Sequence, residues 1–579
     1  MSYERDPASL EIIRNALESV ADSMAITLYR TARSAVVRLG WDFSTAILSA
    51  NGDLVGQGMC HPVHLGGMMP ALEGCLRRYR DDISPGDILI INDPYEGAQH
   101  LPDIYLFKPV FKGQDRALVA FAGAICHHAD IGGRVPGGQG FDNTEIQQEG
   151  LRIPALKLYT QGEPNETLFR LLEKAVRTPD EVLGDLKACI AAIELGEREL
   201  LKLIVRLGND RYLALTTDLL DYTERLTRKR IEALPEGSWS FADYIDDDGI
   251  TNETITVRAT VTKAGDRIHV DFAGTSPQCR GSITGLFHMN ANYVYMALRA
   301  LLGPDIPNTA GFNRPIEVTA PPGSFVNPLA PAAVGARQLG GRRINHAVWG
   351  ALAQMAPERC FACPGGSDAS MATSGLGHDR KTWVFTEGFN ETACGGRPDK
   401  DGMDGQGSNV TNQANTPVEI IETEYPIRIT HYGFAPDTEG AGKFRGGLAL
   451  VRDFEYLADE IDVRIRCDRI KHPPWGILGG GDARSGEVSL TTSNGATKTL
   501  PGKSTLQVRR GDRVHTQWCG GGGYGNPLER QSELVLDDVT AQKISPERAR
   551  DVYGVAIDVV NRHIDHAATA ALRNERRKR

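Results

Sequence analysis

The histidines and carboxylates that could share one metal ion lie in three places. Asp42 opens the run "DFSTAIL", His100 and Asp103 flank Leu101-Pro102 in "NDPYEGAQHLPD", and His127, His128 and Asp130 crowd into "CHHADIGG". Pro102 disfavours a helical conformation at Leu101, so His100 and Asp103 sit on a bend from which both can act as donors. If the strands that carry Asp42, the bend and His127 are neighbours, these four side chains converge on one point. Two imidazoles and two carboxylates suit Zn²⁺, Mn²⁺ or Fe²⁺ better than an ion that prefers thiolates or oxygens alone. His127 and His128 could each fill the second imidazole place. With His127 as the ligand, His128 is left as the candidate catalytic group, a proton carrier near neutral pH. Glu145 and Glu149 in "NTEIQQEGLRIP" are candidate bases whose spacing matches a solvated helical face.

Periodicity indicates the elements that must hold these groups. Asp6 can cap a helix with Pro7 at its first position, and Ile13, Leu17, Val20, Met24 and Leu28 recur at three- and four-residue spacing. "WDFSTAILSANGDLVGQG" alternates around Asn51-Gly52, the signal of a hairpin. "GDILIIND", "DIYLFKPVF" and "ALVAFAGAIC" read as strands, with the acid- and histidine-bearing loop on the sheet's rim, where sites are built. From 165 to 234 the pattern is helical, with Leu183, Leu186, Ile190, Ile193, Leu200 and Ile204 on one face and a brief interruption at Gly196-Glu197. Strand patterns resume at "ETITVRATVTKAGDRIHVDFAG", and from about Thr416 strands alternate with glycine turns as far as "CGGGGYGNP". A short helical tail follows, and the basic end "RNERRKR" is expected to be disordered.

The expected fold is α+β (mixed) and multidomain. Its parts are an N-terminal α/β region with the metal site (1–164), a helical block (165–234), a central α/β domain (235–415) and a β-rich C-terminal domain with a helical tail (416–579).

A chain of 579 residues with 41% hydrophobic content can bury several cores. Its net charge of −10 and pI near 5.8 argue against nucleic-acid binding or adhesion to anionic membranes, which require a basic face. No window has the apolar length of a membrane span, and "MSYERDPASLEIIR" lacks a signal peptide's apolar core, so a cytoplasmic protein is expected. Ten scattered cysteines fit reduced thiols, and the lone Cys360-x-x-Cys363 is read as structural. "LPGKST" has Thr497 where a P-loop needs glycine, and a strand pattern follows it instead of a helix. "CGGGGYGNP" has no lysine and is read as a turn.

The motifs "NDPYEGAQHLPD", "HHADIGG", "QQEGLRIP", "GTSPQCRGS", "LLGPDIPNTAGFNRPIEV", "NTPVEIIETEYPIRI", "GAGKFRGG" and "GGGGYGNPLER" occur in that order along the chain. Together they resemble the hydantoinase B / 5-oxoprolinase family. The resemblance implies a subunit of an ATP-dependent enzyme that opens a small cyclic amide such as a hydantoin, oxoproline or a lactam. It implies a hydantoinase A-type partner that binds ATP-Mg, with two copies of each subunit, consistent with the missing P-loop. It also implies a metal in this subunit, carried onto Asp42, His100, Asp103 and His127. Zinc is favoured by the lactam-opening relatives and manganese by the related carboxylases. Two other readings stay open: a subunit of an ATP-dependent acetone or acetophenone carboxylase, and a non-catalytic scaffold for the ATP-binding subunit.

Overall fold

The computed structural model describes residues 6–59, 61–112, 117–367, 370–377, 382–387, 393–406, 410–412 and 414–578. Helix α1 (Pro7–Thr31) begins where the Asp6 carboxylate accepts hydrogen bonds from the backbone N–H groups of Ala8 and Ser9. A cap of this kind contributes about 1 kcal/mol. The short α2 (Ala35–Arg38) leads into β1 (Phe43–Ser49) and β2 (Leu54–Gln57), joined through Gly52 at φ 94° as the Asn-Gly signal predicts. α3 (Pro62–Tyr79) then crosses to β3 (Ile88–Ile91), β4 (Asp103–Lys112), β5 (Ala117–His127), β6 (Leu156–Thr160) and β7 (Glu163–Pro164). These strands form one sheet in the order β2-β1-β5-β4-β3-β6-β7, antiparallel throughout.

The three site-bearing strands are therefore neighbours. Asp103 faces His127 across the β4–β5 ladder, Phe43 faces Cys126 across β1–β5, and the His127 N–H donates to the Asp42 carbonyl at 3.0 Å. β4 and β5 are buried along nearly their whole length, which explains their continuous apolar runs.

The helical block folds onto this sheet as α4 (Glu166–Ala175), α5 (Pro179–Leu207) and α6 (Asn209–Glu232). α5 runs unbroken through Gly196-Glu197. A Cβ on Gly196 would meet Met24 Sδ at 2.5 Å and Ala122 Cβ at 3.0 Å, so the glycine lets α5 approach both α1 and the sheet. Leu17, Met24, Ile47, Phe107, Leu186 and Ile193 share one core.

A second sheet, in the order β11-β10-β9-β8, comprises β8 (Gly237–Ile245), β9 (Ile255–Ala264), β10 (Arg267–Asp271) and β11 (Ile316–Thr319). It packs with α7 (Phe287–Leu302) and α8 (Gln338–Met355), the latter buried at all but one of its positions.

Beyond α8, the strands Ser370–Leu376 and Thr382–Glu387 join Ile461–Arg466 and Lys503–Val508 in one four-stranded sheet. A five-stranded sheet follows, with α9 (Val418–Glu424) packed on its first strand, Ile427–Ala435.

Two local expectations are corrected. "CGGGGYGNP" is no simple turn, because Gly520–Gly523 thread between the backbones of 438–447, 394–395 and 475–481. A Cβ on Gly521 would meet the Cys394 carbonyl oxygen at 2.0 Å. The basic end continues a closing helix, His566–Arg576, in which the Arg573 guanidinium donates to the Arg530 carbonyl at 2.6 Å. Lys503 of "LPGKST" is buried and pairs with Asp468 and Asp247, each at 3.3 Å, far from a phosphate-binding role. The nine described cysteines are free thiols. Among the described residues no helix is long and apolar enough to cross a membrane.

Candidate metal centre

His100, Asp103 and His127 form a tight buried group whose ligand atoms all lie within 4.8 Å of one another. Asp103 Oδ1 is 2.9 Å from His100 Nε2 and 3.2 Å from His127 Nδ1, and the two imidazole nitrogens are 3.2 Å apart. Asp103 begins β4 and His127 ends β5 as its register partner, while the Asp103 N–H donating to the His100 carbonyl closes the bend around Pro102.

Asp42 reaches the group through a residue absent from the set expected from the sequence. His64, on the first turn of α3, places Nε2 3.3 Å from Asp42 Oδ1 and 3.9 Å from Asp103 Oδ1. His61, the N-cap of α3, stacks on His64 with ring centroids 4.6 Å apart. "HPVHLGG" begins with Pro at the first helical position after His61, and that His-x-x-His spacing was the available signal.

Hydrogen bonds settle the protonation of the rings. His100 Nδ1 lies 3.2 Å from the Gly335 carbonyl, which can only accept, so Nδ1 carries the proton and Nε2 is left bare towards Asp103. Gln139 Nε2 lies 2.9 Å from His127 Nε2, and Gln139 Oε1 already accepts from Arg466 at 3.0 Å. The amide therefore donates to His127 Nε2, and the His127 proton sits on Nδ1, pointing into the group.

Burial, then the Arg337 guanidinium, pushes the His100 imidazole down to about 3, and burial likewise lowers His64. Burial pushes the Asp103 carboxyl up, but Arg337 and the surrounding histidines outweigh it and hold the group well below its usual range. Arg337 Nη2 meets Asp103 Oδ2 at 2.5 Å, leaving Oδ1 for the histidines. His64 and His100 are thus held neutral beside an ionised Asp103, whereas the proton on His127 Nδ1 has to move to the other ring nitrogen before Nδ1 can take a divalent cation.

The other acids of the loop are structural. Asp93 caps the turn Pro94–Glu96 and pairs with Arg152 at 2.8 Å, and Glu96 accepts from the Ala155 N–H at 2.8 Å. Asp130 accepts from the backbone of Gly132, Gly137 and Arg177, which fixes the turn after His128.

His128 is not in the group. Its Nε2 is 3.5 Å from Cys126 Sγ, which in turn is 3.4 Å from Cys189 of α5, and burial pushes the imidazole down to about 3. Glu145 is exposed, as a solvated face requires, but Glu149 is not. It is buried, accepts from the N–H groups of Val334 at 2.9 Å and Gly335 at 2.6 Å, and is pushed up to about 8 by burial. It thereby anchors the peptide segment whose Gly335 carbonyl orients His100.

Asp243, His346 and Cys363 form a second buried group. Here Arg469 Nη2 lies 2.8 Å from Asp243 Oδ2, 2.9 Å from His346 Nδ1 and 3.2 Å from Cys363 Sγ, so a guanidinium already fills the place a cation would take.

The fold and this site define a multidomain, mixed α+β protein with a buried histidine–carboxylate centre on the rim of an antiparallel sheet. Residues 6–527 match the family model described as hydantoinase B/oxoprolinase, and the chain belongs to that family. It is 32% identical to the B component of a putative D-/L-hydantoinase of a Pseudomonas species, over 98% of each chain. It is 33% identical to the caprolactamase beta subunit of Pseudomonas jessenii, over 98% of this chain and 99% of that one. The crystal structure of that ATP-dependent caprolactamase superposes with a TM-score of 0.92 at 31% identity, covering 98% of this chain and 99% of the other. A nucleotide-free acetone carboxylase has the same fold, with a TM-score of 0.92 at 18% identity, over 99% of this chain and 83% of that one.

Proposed function

We propose that this chain is the metal-dependent subunit of an ATP-dependent cyclic amide hydrolase. It would act with a separate hydantoinase A-type subunit that binds ATP-Mg, two copies of each, on a hydantoin, oxoproline or lactam ring in the cytoplasm. The observation that carries the metal is the unsatisfied chemistry of the centre. Asp42 Oδ1 is buried and makes no hydrogen bond, its 3.3 Å contact with His64 Nε2 falling short of one, and the Nε2 atoms of both His64 and His100 face Asp103 Oδ1 beside it. An orphaned buried carboxylate oxygen costs several kcal/mol unless a cation answers it. His100, Asp103 and His127, with Asp42 and His64 beside them, would hold a borderline divalent ion, zinc foremost and manganese or iron next. Such an ion supplies Lewis acidity and a water of lowered pKa.

The chain's own residues do the positioning. Arg337 holds Asp103 Oδ2, so the carboxylate presents only Oδ1. Gly335, anchored by Glu149, keeps the His100 ring turned with Nε2 inward. The apolar sheet and α3 around them exclude bulk water.

The chain is to be co-expressed with its partner as wild type, His100→Ala and His64→Ala. The wild type should carry about one ion per chain and open a cyclic amide with ATP. His100→Ala should lose both ion and turnover yet still assemble, and His64→Ala should bind the ion about 10–100-fold more weakly. Metal-free wild type with full turnover would overturn the metal's role. Incorporation of labelled bicarbonate into ketones, without ring opening, would instead favour the carboxylase reading.

A further inference from the structure

Ring opening leaves one task without a residue. Opening an amide with water breaks C–N and forms C–O, so one proton leaves the water and one reaches the departing nitrogen. His128, the sequence candidate for that transfer, lies against Cys126 and outside the centre.

A second acid lies on the route. Glu181, in the first turn of α5, lines a chamber of about 20 Å³ that His127 also lines, with Ser34, Thr386 and Tyr425 in its walls. That volume is about enough for one water molecule. Glu181 also lines a crevice of about 700 Å³ on its other side, with Thr31, Arg33, Asp180 and Lys187. One carboxyl thus belongs to both spaces, the small one beside the centre and the wide one open to solvent.

Among the described residues no hydrogen-bond donor or cation pairs with the Glu181 carboxyl, although Arg33 and Lys187 line the same crevice. Its charged surroundings are acidic: Asp185 and Asp180 on its own helix and Glu424 on α9. Asp185 is itself engaged, accepting from the N–H groups of Arg33 and Ser34. Burial first, and then these carboxylates, push Glu181 up to about 7, where it exchanges protons readily at neutral pH.

We propose that Glu181 is the proton-relay residue of this subunit, passing protons between the solvent-filled crevice and the water-sized chamber beside His127. The relay is balanced: the acid gives its proton inward, the carboxylate recovers one from water or buffer in the crevice, and no oxidant or co-reactant is consumed. The inference rests on the proposed metal-dependent hydrolysis.

The test compares wild type with Glu181→Gln in the complete two-subunit complex. Glu181→Gln should keep its metal and lose at least tenfold in turnover at low buffer concentration, and added imidazole should restore the rate in proportion to its concentration. Unchanged turnover, or a loss that imidazole does not relieve while metal is retained, overturns the relay. A readout independent of turnover is the infrared band of the protonated carboxyl. A component absent from Glu181→Gln should titrate near pH 7 in the metal-free chain and at lower pH once Zn²⁺ is added, a shift that His100→Ala abolishes. A midpoint that Zn²⁺ leaves in place overturns the relay. A complex that opens no cyclic amide overturns the proposed function instead, and the infrared outcomes then decide the relay.

Discussion

At the scale of single residues, the centre is a problem of where protons sit. His127 carries its proton on Nδ1, aimed at Asp103, because Gln139 donates to the other ring nitrogen. A cation taking Nδ1 must displace that proton, whereas His100 already presents a bare nitrogen. Zinc binding at Nδ1 is therefore expected to shift that one proton to Nε2 with no net release from the ring, a change of tautomer read in the ¹⁵N chemical shifts of His127. Glu149 gives a prediction of pH-dependent stability. Its carboxyl is pushed up to about 8 in the folded chain from an ordinary value of 4.5, so between these values the folded state keeps a proton the unfolded state has lost. The stabilisation is complete below the lower value and is lost as pH rises through the upper one. Glu149→Gln should flatten the fall in melting temperature between pH 5 and pH 9, and a wild-type curve that stays flat there would contradict the assignment.

At the scale of elements, precision depends on how closely α3 lies against the sheet. A Cβ on Gly67 would meet Tyr105 Oη at 2.2 Å and Gln99 Nε2 at 2.7 Å, so this glycine lets α3 approach β4 and sets the depth of His64. Gly67→Ala is expected to cost about 1–3 kcal/mol by overpacking and to weaken metal binding with it, read by denaturant unfolding and by metal titration. What was legible in the sequence follows the same geometry. The alternation of β1 and the apolar runs of β4 and β5 marked the strands that carry Asp42, Asp103 and His127, and once those strands pair, the ladder places side chains almost without freedom. His64 had a signal in its His-x-x-His spacing with His61, but its place beside Asp42 depends on how a helix packs and not on that spacing. Glu149 looked like a solvated acid because local spacing carries no information about the segment around Val334 that covers it. His127 and His128 could not be separated by type, and only the partners of each ring distinguish them.

For the whole molecule, the second buried group shows how the parts are tied together. Arg469 bridges Asp243 of β8, His346 of α8 and Cys363, and Arg343 of α8 pairs with Asp468 at 2.5 Å. Removing Arg469 alone leaves buried Asp243 with the weaker contacts of Arg343 at 3.8 Å and Trp475 Nε1 at 3.4 Å, at an expected cost of up to about 3–5 kcal/mol. The double variant Arg469→Met with Asp243→Leu should cost less than Arg469→Met alone, and simple additivity of the two changes would show that they do not act as a pair. The Asp103–Arg337 bond spans 234 residues of chain, which has a consequence for synthesis on the ribosome. At about 5–20 residues per second, Asp103 leaves the exit tunnel on the order of 10–50 s before its guanidinium does. During that interval the nascent sheet must shelter a carboxylate whose counter-charge has not yet been made, so the centre matures late, after roughly the first three-fifths of the chain has emerged.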